Sequence, residues 1–425
     1  MRTSREAPPT GAEASTNPLS SSSLSIADLE THFREHTGVQ EALGHVTETR
    51  RLNAAPPTPL QRLRGATFML MLILSMAYCY IYVMLFFPLL YISPRWYHRC
   101  VSLLQKVWFQ MPILLFEYVF GIKYSIYGDQ IRDHEKMIMT PNHRTRLDWM
   151  FLWPVLLRQG SLENERILLK APLKHIPLAG PAMQMFNFVF LDRRWDKDEA
   201  YLTDMLRHFL RQQLKYQILI FPEGTDLERS TALRSHHFAQ KQSLPHYHCV
   251  MHPRVKGFTH MVRTLGSDLE AIYDMTIAYD PIVPRSEFAV LHGTMPSQTH
   301  VHIKRYPMSE LPPTDDEGRV GEWCAKVWAE KEQRLKEFYS KPVGARSFGT
   351  PVPTDEARAL RWHIGSAIFF AVDFAIHMYI SWLYPWTVVV MFLCYVLGSV
   401  LEVKTGGLER LELRLYPIEA DKKSK

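Results

Sequence analysis

Residues 137–150 read MIMTPNHRTRLDWM and join a short apolar run, a polar loop and the start of a helical pattern. The apolar run predicts a buried strand, and the residues after the loop predict a helix. The same rhythm returns in FVFL at 188–191 before a predicted helix over about 197–213, and QILIF at 217–221 precedes a Pro-Glu-Gly loop. Strands that alternate with helices are typical of parallel βα units, so residues 121–345 are predicted to form an α/β domain.

The polar loop contains His143 and Asp148, which lie five residues apart. On an ideal helix that separation turns two side chains about 140° away from each other, so the pair can meet only if the chain turns between them. A carboxylate that fixes the tautomer of an imidazole leaves the other ring nitrogen free to accept a proton from an attacking hydroxyl. The spacing alone also fits two residues that cap and support a helix, and both interpretations stay open at this point.

Bulk composition and missing motifs narrow the function. The chain has no GxSxG, Walker, GxGxxG, HExxH or CxxC motif, which argues against the common hydrolase, kinase, dehydrogenase and zinc-site classes. A net charge of +6 over 425 residues, without a dense basic run, predicts no nucleic-acid partner and fits anionic lipid headgroups better. The five scattered cysteines predict no disulfide framework.

Two apolar blocks predict membrane segments. No charged residue occurs from Gly65 to Pro94, which is longer than the roughly 20 residues that a bilayer core requires. Residues 65–120 are therefore predicted to form N-terminal transmembrane and interfacial helices. A second block is broken near Pro385 and predicts a C-terminal transmembrane hairpin over 362–402.

The two ends of the chain are polar. Residues 1–60 are rich in Ser, Thr, Pro and Ala, and we expect this arm to be disordered. Residues 403–425 form a predicted cytosolic tail. The tail ends in KKSK, with lysines third and fourth from the end as in dilysine signals of the endoplasmic reticulum.

Four blocks in order resemble the motifs of the glycerolipid acyltransferase family, which contains the 1-acylglycerol-3-phosphate acyltransferases. NHRTRLD at 142–148 resembles the family's H-x4-D motif, and FPEGTDL at 221–227 resembles its F-P-E-G motif. KAPLKHIPLAG at 170–180 and FLDRR at 190–194 are similar to the region that contacts the acceptor phosphate. Over about residues 65–400 the chain looks most like the lysocardiolipin acyltransferase type.

The resemblance implies an α/β fold with a glycerol-3-phosphate acyltransferase-like domain, membrane-embedded N-terminal helices and the C-terminal hairpin. It implies that His143 is the general base and Asp148 its orienting partner. It implies that the substrates are bound by Asn142, Arg146, Lys170, Arg193, Glu223, Gly224 and Thr225. Many relatives carry a basic residue where Asp226 stands, so the headgroup ligand is expected among other cations, namely Lys170, Lys174, Arg254 and Lys256.

The implied activity is transfer of an acyl group from acyl-CoA to a lysophospholipid, such as lysocardiolipin, lysophosphatidylinositol or lysophosphatidylglycerol. The alternatives are a lysophosphatidate acyltransferase and, in another class, a non-catalytic lipid-binding membrane protein. Acyl-CoA is a substrate, and no cofactor or metal is expected, since the histidine-rich residues 236–252 match no ligand spacing. The implied location is the endoplasmic reticulum membrane with the catalytic domain and C-terminus in the cytosol, and a homodimer is left open.

Overall fold

The computed structural model describes residues 24–51, 56–160, 162–284 and 287–417. Within these residues one seven-stranded sheet forms the centre of the molecule. Its strands are β1 (Lys123–Gly128), β2 (Met137–Pro141), β3 (Glu165–Lys170), β4 (Val189–Leu191), β5 (Gln217–Leu219), β6 (Ala271–Asp280) and β7 (Gln298–Pro307).

The strand order is β1-β7-β6-β2-β5-β3-β4. Five strands are mutually parallel, namely β6, β2, β5, β3 and β4. Strand β7 runs antiparallel to β6, and β1 is parallel to β7. All ten positions of β6 are buried, as expected of an inner strand with both faces covered. The predicted α/β class is confirmed, with parallel strands where the sequence places them, and the antiparallel β6–β7 pair is an addition that the pattern did not predict.

Helices cover the sheet and extend away from it. They are α1 (Ile26–His32), α2 (Thr37–Arg51), α3 (Pro59–Phe86), α4 (Leu89–Ile92), α5 (Pro94–Leu114), α6 (Asp148–Gln159), α7 (Ala179–Met185), α8 (Trp195–Arg211), α9 (Arg229–Lys241), α10 (Val255–Leu265), α11 (Glu287–Leu291), α12 (Glu317–Ser340), α13 (Glu356–Leu383), α14 (Trp386–Thr405) and α15 (Leu408–Leu415).

Three of these helices are long and apolar enough to cross a membrane, counted over the described ranges: α3 with its extension to Ile92, α13 and α14. A capping box between Thr58 and Gln61 fixes the start of α3. Helix α5 belongs to the domain instead, because its face is buried and Phe109 stacks on Trp153 of α6 with ring centroids 3.9 Å apart.

The predicted C-terminal hairpin is confirmed as α13 and α14, which meet at Pro385. Its first end is tied to the α/β domain by Arg158, whose Nε lies 2.8 Å from Glu356. Its last end is tied to the same domain by His175, whose Nδ1 lies 2.8 Å from Glu402. The chain therefore leaves the domain and returns to it.

The prediction of a disordered arm over 1–60 is wrong for residues 24–51, which form α1 and α2. Residues 1–23 and 52–55 lie outside the described residues, as do 418–425 with the dilysine sequence. Residues 24–51 form helices because they carry a buried apolar stripe at helical spacing, formed by Leu29, Phe33, Val39, Leu43 and Val46. The average hydropathy of this segment is low and therefore does not reveal the stripe, which packs against α9.

Candidate active site

The loop between β2 and α6 brings His143 and Asp148 together, as the sequence predicted. Nδ1 of His143 lies 2.9 Å from Oδ2 of Asp148. Asp148 is the first residue of α6, where the helix dipole favours a negative charge, and its side chain is fully buried. With Nδ1 donating to the carboxylate, Nε2 is the unprotonated nitrogen of a neutral imidazole. The ring of His143 also stacks on Phe221, with centroids 4.1 Å apart.

Two further donors hold the carboxylate of Asp148. The backbone amide of Thr145 donates to Oδ2 at 2.9 Å, and the hydroxyl of Tyr279 donates to Oδ1 at 2.5 Å. Burial and the nearby Asp148 raise the pKa of Tyr279 well above its ordinary value, so the phenol stays protonated and keeps donating. Asp148 is therefore fixed on both of its oxygens.

Glu223 holds the backbone of this loop. Oε1 accepts the amide of His143 at 3.1 Å, and Oε2 accepts the amide of Met251 at 3.1 Å. Burial raises the pKa of Glu223 to about 8, although both hydrogen bonds oppose the shift. Its side chain is buried, both oxygens accept backbone amides and it does not line the cavity, so the structure places Glu223 behind the loop of His143, and its part in substrate binding stays a prediction.

Asn142 is also buried and does not line the cavity, and its part in substrate binding likewise stays a prediction. Its side-chain amide donates to the carbonyl of Ile277 at 3.1 Å and accepts the amide of Ile277 at 2.8 Å, which pins the end of β2 to β6. Lys331 of α12 is a further brace, because its buried Nζ donates to the carbonyls of Thr140 and Met275 at 2.7 and 2.8 Å. The loop that carries His143 thus starts at the end of β2, where Asn142 and Lys331 hold the backbone.

A cavity of about 1120 Å³ is lined by His143, by a group of apolar residues, called the apolar part, and by a group of basic residues, called the basic part. The apolar part includes Phe68, Leu72, Met76, Trp108, Trp153 and Met183. The basic part includes Arg146, Lys170, Arg193, Arg194, Arg254 and Lys256. Such a cavity can take a ligand with an apolar chain at one end and phosphate at the other.

The basic part is crowded with like charges. Withdrawal from solvent and the neighbouring Arg193 lower the pKa of Lys170, and withdrawal from solvent and Arg254 lower the pKa of Arg193. An anion placed among these groups would relieve their repulsion. The acid at Asp226 is paired in part, since its Oδ2 lies 3.6 Å from Nε of Arg146.

The remaining candidates divide by position. Gly224 lines the cavity with φ +74°, and a Cβ there would lie 3.2 Å from Nε of Arg254. Thr225 does not line it, and its hydroxyl lies 3.4 Å from Asp226. Lys174 is also outside the cavity lining, because its Nζ donates to the carbonyl of Gly406 at 3.0 Å.

One group of three side chains within the described ranges has metal-ligand geometry, formed by His98, His208 and Glu412. Oε1 of Glu412 lies 2.7 Å from Nε2 of His208, which is a hydrogen bond, and 3.0 Å from Nε2 of His98, so contacts among the three side chains account for the arrangement. The two histidines lower the pKa of Glu412 to about 2 against the effect of its burial. None of the three lines the cavity. Their contact attaches α15 to the domain.

Family models match the two parts of the α/β domain. Residues 123–284 match the model described as Acyltransferase, and residues 289–360 match the model described as Acyltransferase C-terminus. The chain is 38% identical over 343 residues to lysocardiolipin acyltransferase 1 of Gallus gallus, covering 78% of this chain and 88% of that protein. The chain belongs to this acyltransferase family. The resemblance carried by the H-x4-D and F-P-E-G motifs is thereby confirmed.

Other acyltransferases of the family are also similar. Lysophosphatidylinositol acyltransferase 10 of Caenorhabditis elegans is 34% identical over 316 residues, which cover 73% of this chain and 78% of that protein. Probable 1-acyl-sn-glycerol-3-phosphate acyltransferase 5 of Arabidopsis thaliana is 34% identical over 248 residues, which cover 58% and 65%. The acyltransferase described here therefore resembles relatives whose names give three different acceptor lipids.

Proposed function

We propose that this acyltransferase is a membrane enzyme that transfers a fatty acyl group from acyl-CoA to a lysophospholipid. The observation that carries the proposal is a cavity whose lining combines His143 with a group of apolar side chains and a group of basic side chains. A lysophospholipid and a long-chain acyl-CoA both combine an apolar chain with phosphate. The acceptors named for the relatives, lysocardiolipin and lysophosphatidylinositol, belong to this class.

In the proposed reaction both substrates are bound together. Nε2 of His143 accepts the proton of the lysolipid hydroxyl, and the oxygen attacks the thioester carbonyl. An ester C–O bond forms, the C–S bond breaks, and the proton passes from His143 to the departing CoA thiolate. The carboxylate of Asp148 stabilises the imidazolium that exists between these steps, and its fixed orientation sets the tautomer. The thioester is already activated, so the reaction requires no metal.

The basic part of the cavity is proposed to bind the phosphate of the acceptor. Arg193 and Arg254 are the strongest candidates, because a guanidinium binds phosphate bidentately and both line the cavity, whereas Arg146 and Arg194 already lie near Asp226 and Asp196. Arg146 and Lys170 also line the cavity and add to its cationic surface. The apolar part is proposed to take the acyl chain.

Acyl transfer from radiolabelled oleoyl-CoA by the detergent-purified full chain tests the proposal. The acceptor panel contains lysocardiolipin, lysophosphatidylinositol, lysophosphatidylglycerol and lysophosphatidate, so the lysophosphatidate acyltransferase alternative is tested at the same time. We expect transfer to at least one acceptor, loss of at least about a thousandfold in His143→Ala, and no loss in His292→Ala, an exposed histidine that serves as control.

Two outcomes would contradict the proposal. Equal activity of wild type and His143→Ala would remove His143 from the mechanism. A folded wild type that binds oleoyl-CoA but transfers nothing to any acceptor would favour a non-catalytic lipid-binding protein. Treatment with EDTA should leave the rate unchanged, and a loss that zinc restores would contradict the metal-free reaction.

We further propose that the enzyme resides in the endoplasmic reticulum membrane with its catalytic domain and C-terminus in the cytosol. Both ends of the α13–α14 hairpin contact the same domain, which supports a tail on the domain's side of the membrane. An antibody should reach a C-terminal tag after selective permeabilisation of the plasma membrane. A tag that is reached only after the lumen is opened would contradict this orientation.

A further inference from the structure

Helices α1 and α2 form a layer on the outer side of the active-site loops. Their buried stripe shares one apolar cluster with Leu227, Leu233 and Met251. Leu227 follows the F-P-E-G motif, and Met251 belongs to the segment that leads to Arg254. The N-terminal layer therefore packs against segments that continue into the active site.

The same two residues hold the catalytic loop through their backbone. The amide of Leu227 donates to the carbonyl of His143 at 2.9 Å. The amide of Met251 donates to Glu223, whose other oxygen accepts the amide of His143. The side chains of Leu227 and Met251 thus rest on the N-terminal layer while their amides fix the position of His143.

His45 of α2 makes a direct contact with the loop. Its Nε2 lies 3.3 Å from Nη2 of Arg144, the residue next to His143, and Arg144 is buried. A guanidinium only donates, so Nε2 of His45 must accept and the ring must be neutral. Burial and the charge of Arg144 lower the pKa of His45 to about 3, which keeps the ring neutral at physiological pH.

A second route connects His45 to the other half of the catalytic pair. Its ring packs edge-on against Tyr339, with centroids 4.9 Å apart. The hydroxyl of Tyr339 accepts the amide of Tyr279 at 3.4 Å, and the hydroxyl of Tyr279 donates to Asp148. His45 therefore contacts Arg144, the neighbour of His143, and Tyr339, whose hydroxyl holds the backbone of Tyr279, and it does not line the cavity.

We infer that α1 and α2 are a positioning element of the active site, and that His45 is a positioning residue that holds Arg144 and the catalytic loop. The element supports His143 from outside the cavity, whose lining includes no described residue of α1 or α2. The kinetic consequence rests on the proposed acyltransferase function, whereas the consequence for the backbone of the loop does not.

The test compares the full-length wild type with three variants in the same detergent: His45→Ala, His45→Gln and Glu48→Ala. Glutamine retains an acceptor for Arg144, and Glu48 is an exposed residue of the same helix. We expect His45→Ala to lower kcat about tenfold, because small displacements of a catalytic group are costly, with KM for oleoyl-CoA changed less than about twofold. His45→Gln should recover kcat to within about threefold of wild type, and Glu48→Ala should match wild type.

Hydrogen–deuterium exchange measures the loop directly. The amides of His143 and Met251 should exchange at least about fivefold faster in His45→Ala than in wild type, and close to the wild-type rate in His45→Gln. Leu43→Ala, which truncates the shared cluster at another point, should accelerate the same amides and serves if His45→Ala does not fold. An inactive wild type would contradict the proposed function and still leave this measurement decisive.

Three outcomes would overturn the inference. The first is wild-type kcat together with wild-type exchange in His45→Ala. The second is an equal loss of kcat in His45→Ala and His45→Gln with unchanged exchange at His143, since the loss would then not come from displacement of the loop. The third is unchanged exchange at both amides in Leu43→Ala, because the cluster would then not support the loop.

Discussion

Replacing Tyr279 by phenylalanine isolates one support of the proposed catalytic pair, His143 and Asp148. The substitution removes only the hydroxyl that donates to Asp148, and the ring remains in its buried position against Phe151, with centroids 5.0 Å apart. A hydrogen bond to a charged group contributes about 1.5–3 kcal/mol, and about 1.4 kcal/mol corresponds to a factor of ten in rate. Loss of all of that energy from the transition state would lower the rate about 10- to 150-fold.

The carboxylate of Asp148 keeps two partners in this variant, namely the amide of Thr145 and the ring of His143. We therefore expect the lower end of the range, a loss of about tenfold in kcat/KM. Steady-state acyl transfer from oleoyl-CoA to the preferred acceptor measures this loss. The affinity for oleoyl-CoA should not change, because Tyr279 does not line the cavity.

Tyr273→Phe is a matched control on the same strand. Tyr273 is equally buried, and its hydroxyl donates to a different carboxylate, that of Glu135. Both variants should lose about 1–2 kcal/mol of unfolding free energy, but only Tyr279→Phe should lose activity. Equal kcat/KM values in the two variants would refute the assignment of Tyr279 as a support of Asp148.

Three further predictions concern charge, backbone and pH. Arg193→Ala should raise KM for the lysolipid about tenfold with little change in kcat, because it removes a cavity guanidinium that can bind phosphate. Arg207→Ala, on the exposed face of α8, should match wild type. Equal KM values for the two variants would contradict phosphate binding at Arg193. Gly224→Ala should lower both the melting temperature and activity, because φ is +74° and the new Cβ crowds a cavity arginine; Gly121→Ala, at φ +73° with no atom within 4 Å, should lower only the melting temperature. Burial raises the pKa of Glu165 to about 8, so the folded chain retains a proton that the unfolded chain releases, and stability should fall as pH rises from about 4.5 through 8. Glu165→Gln should flatten that fall in thermal melts, and parallel curves for the two proteins would contradict it.

Local sequence patterns predicted the features that depend on neighbouring residues. The strand, loop and helix around His143 were predicted because apolar periodicity changes sharply there, and Asp148 follows on the same segment. The membrane blocks were predicted for the same reason, since a long uncharged stretch has few other interpretations. The β6–β7 pair was not predicted, because antiparallel pairing across a long connection leaves no short-range signal.

Partners distant in sequence account for the rest of the site. Tyr279 and Lys331 reach the catalytic loop from β6 and α12, and neither carries a motif that identifies its partner. Asn142 and Glu223 were assigned to substrate because they stand within motifs, and a motif does not show the backbone contacts that they also make. His45 was not predicted, because the average composition of residues 1–60 does not reveal the buried apolar stripe of the helices that carry it.

The apolar part of the cavity has a consequence for chain-length selectivity. Phe68, Leu72 and Met76 belong to α3, so one wall of the space proposed for the acyl chain is a helix apolar enough to cross the bilayer. The tilt of such a helix follows the thickness of the surrounding membrane. We therefore expect acyl-chain selectivity to depend on the surrounding bilayer as well as on the protein. The same enzyme should rank acyl donors differently in thin and thick bilayers.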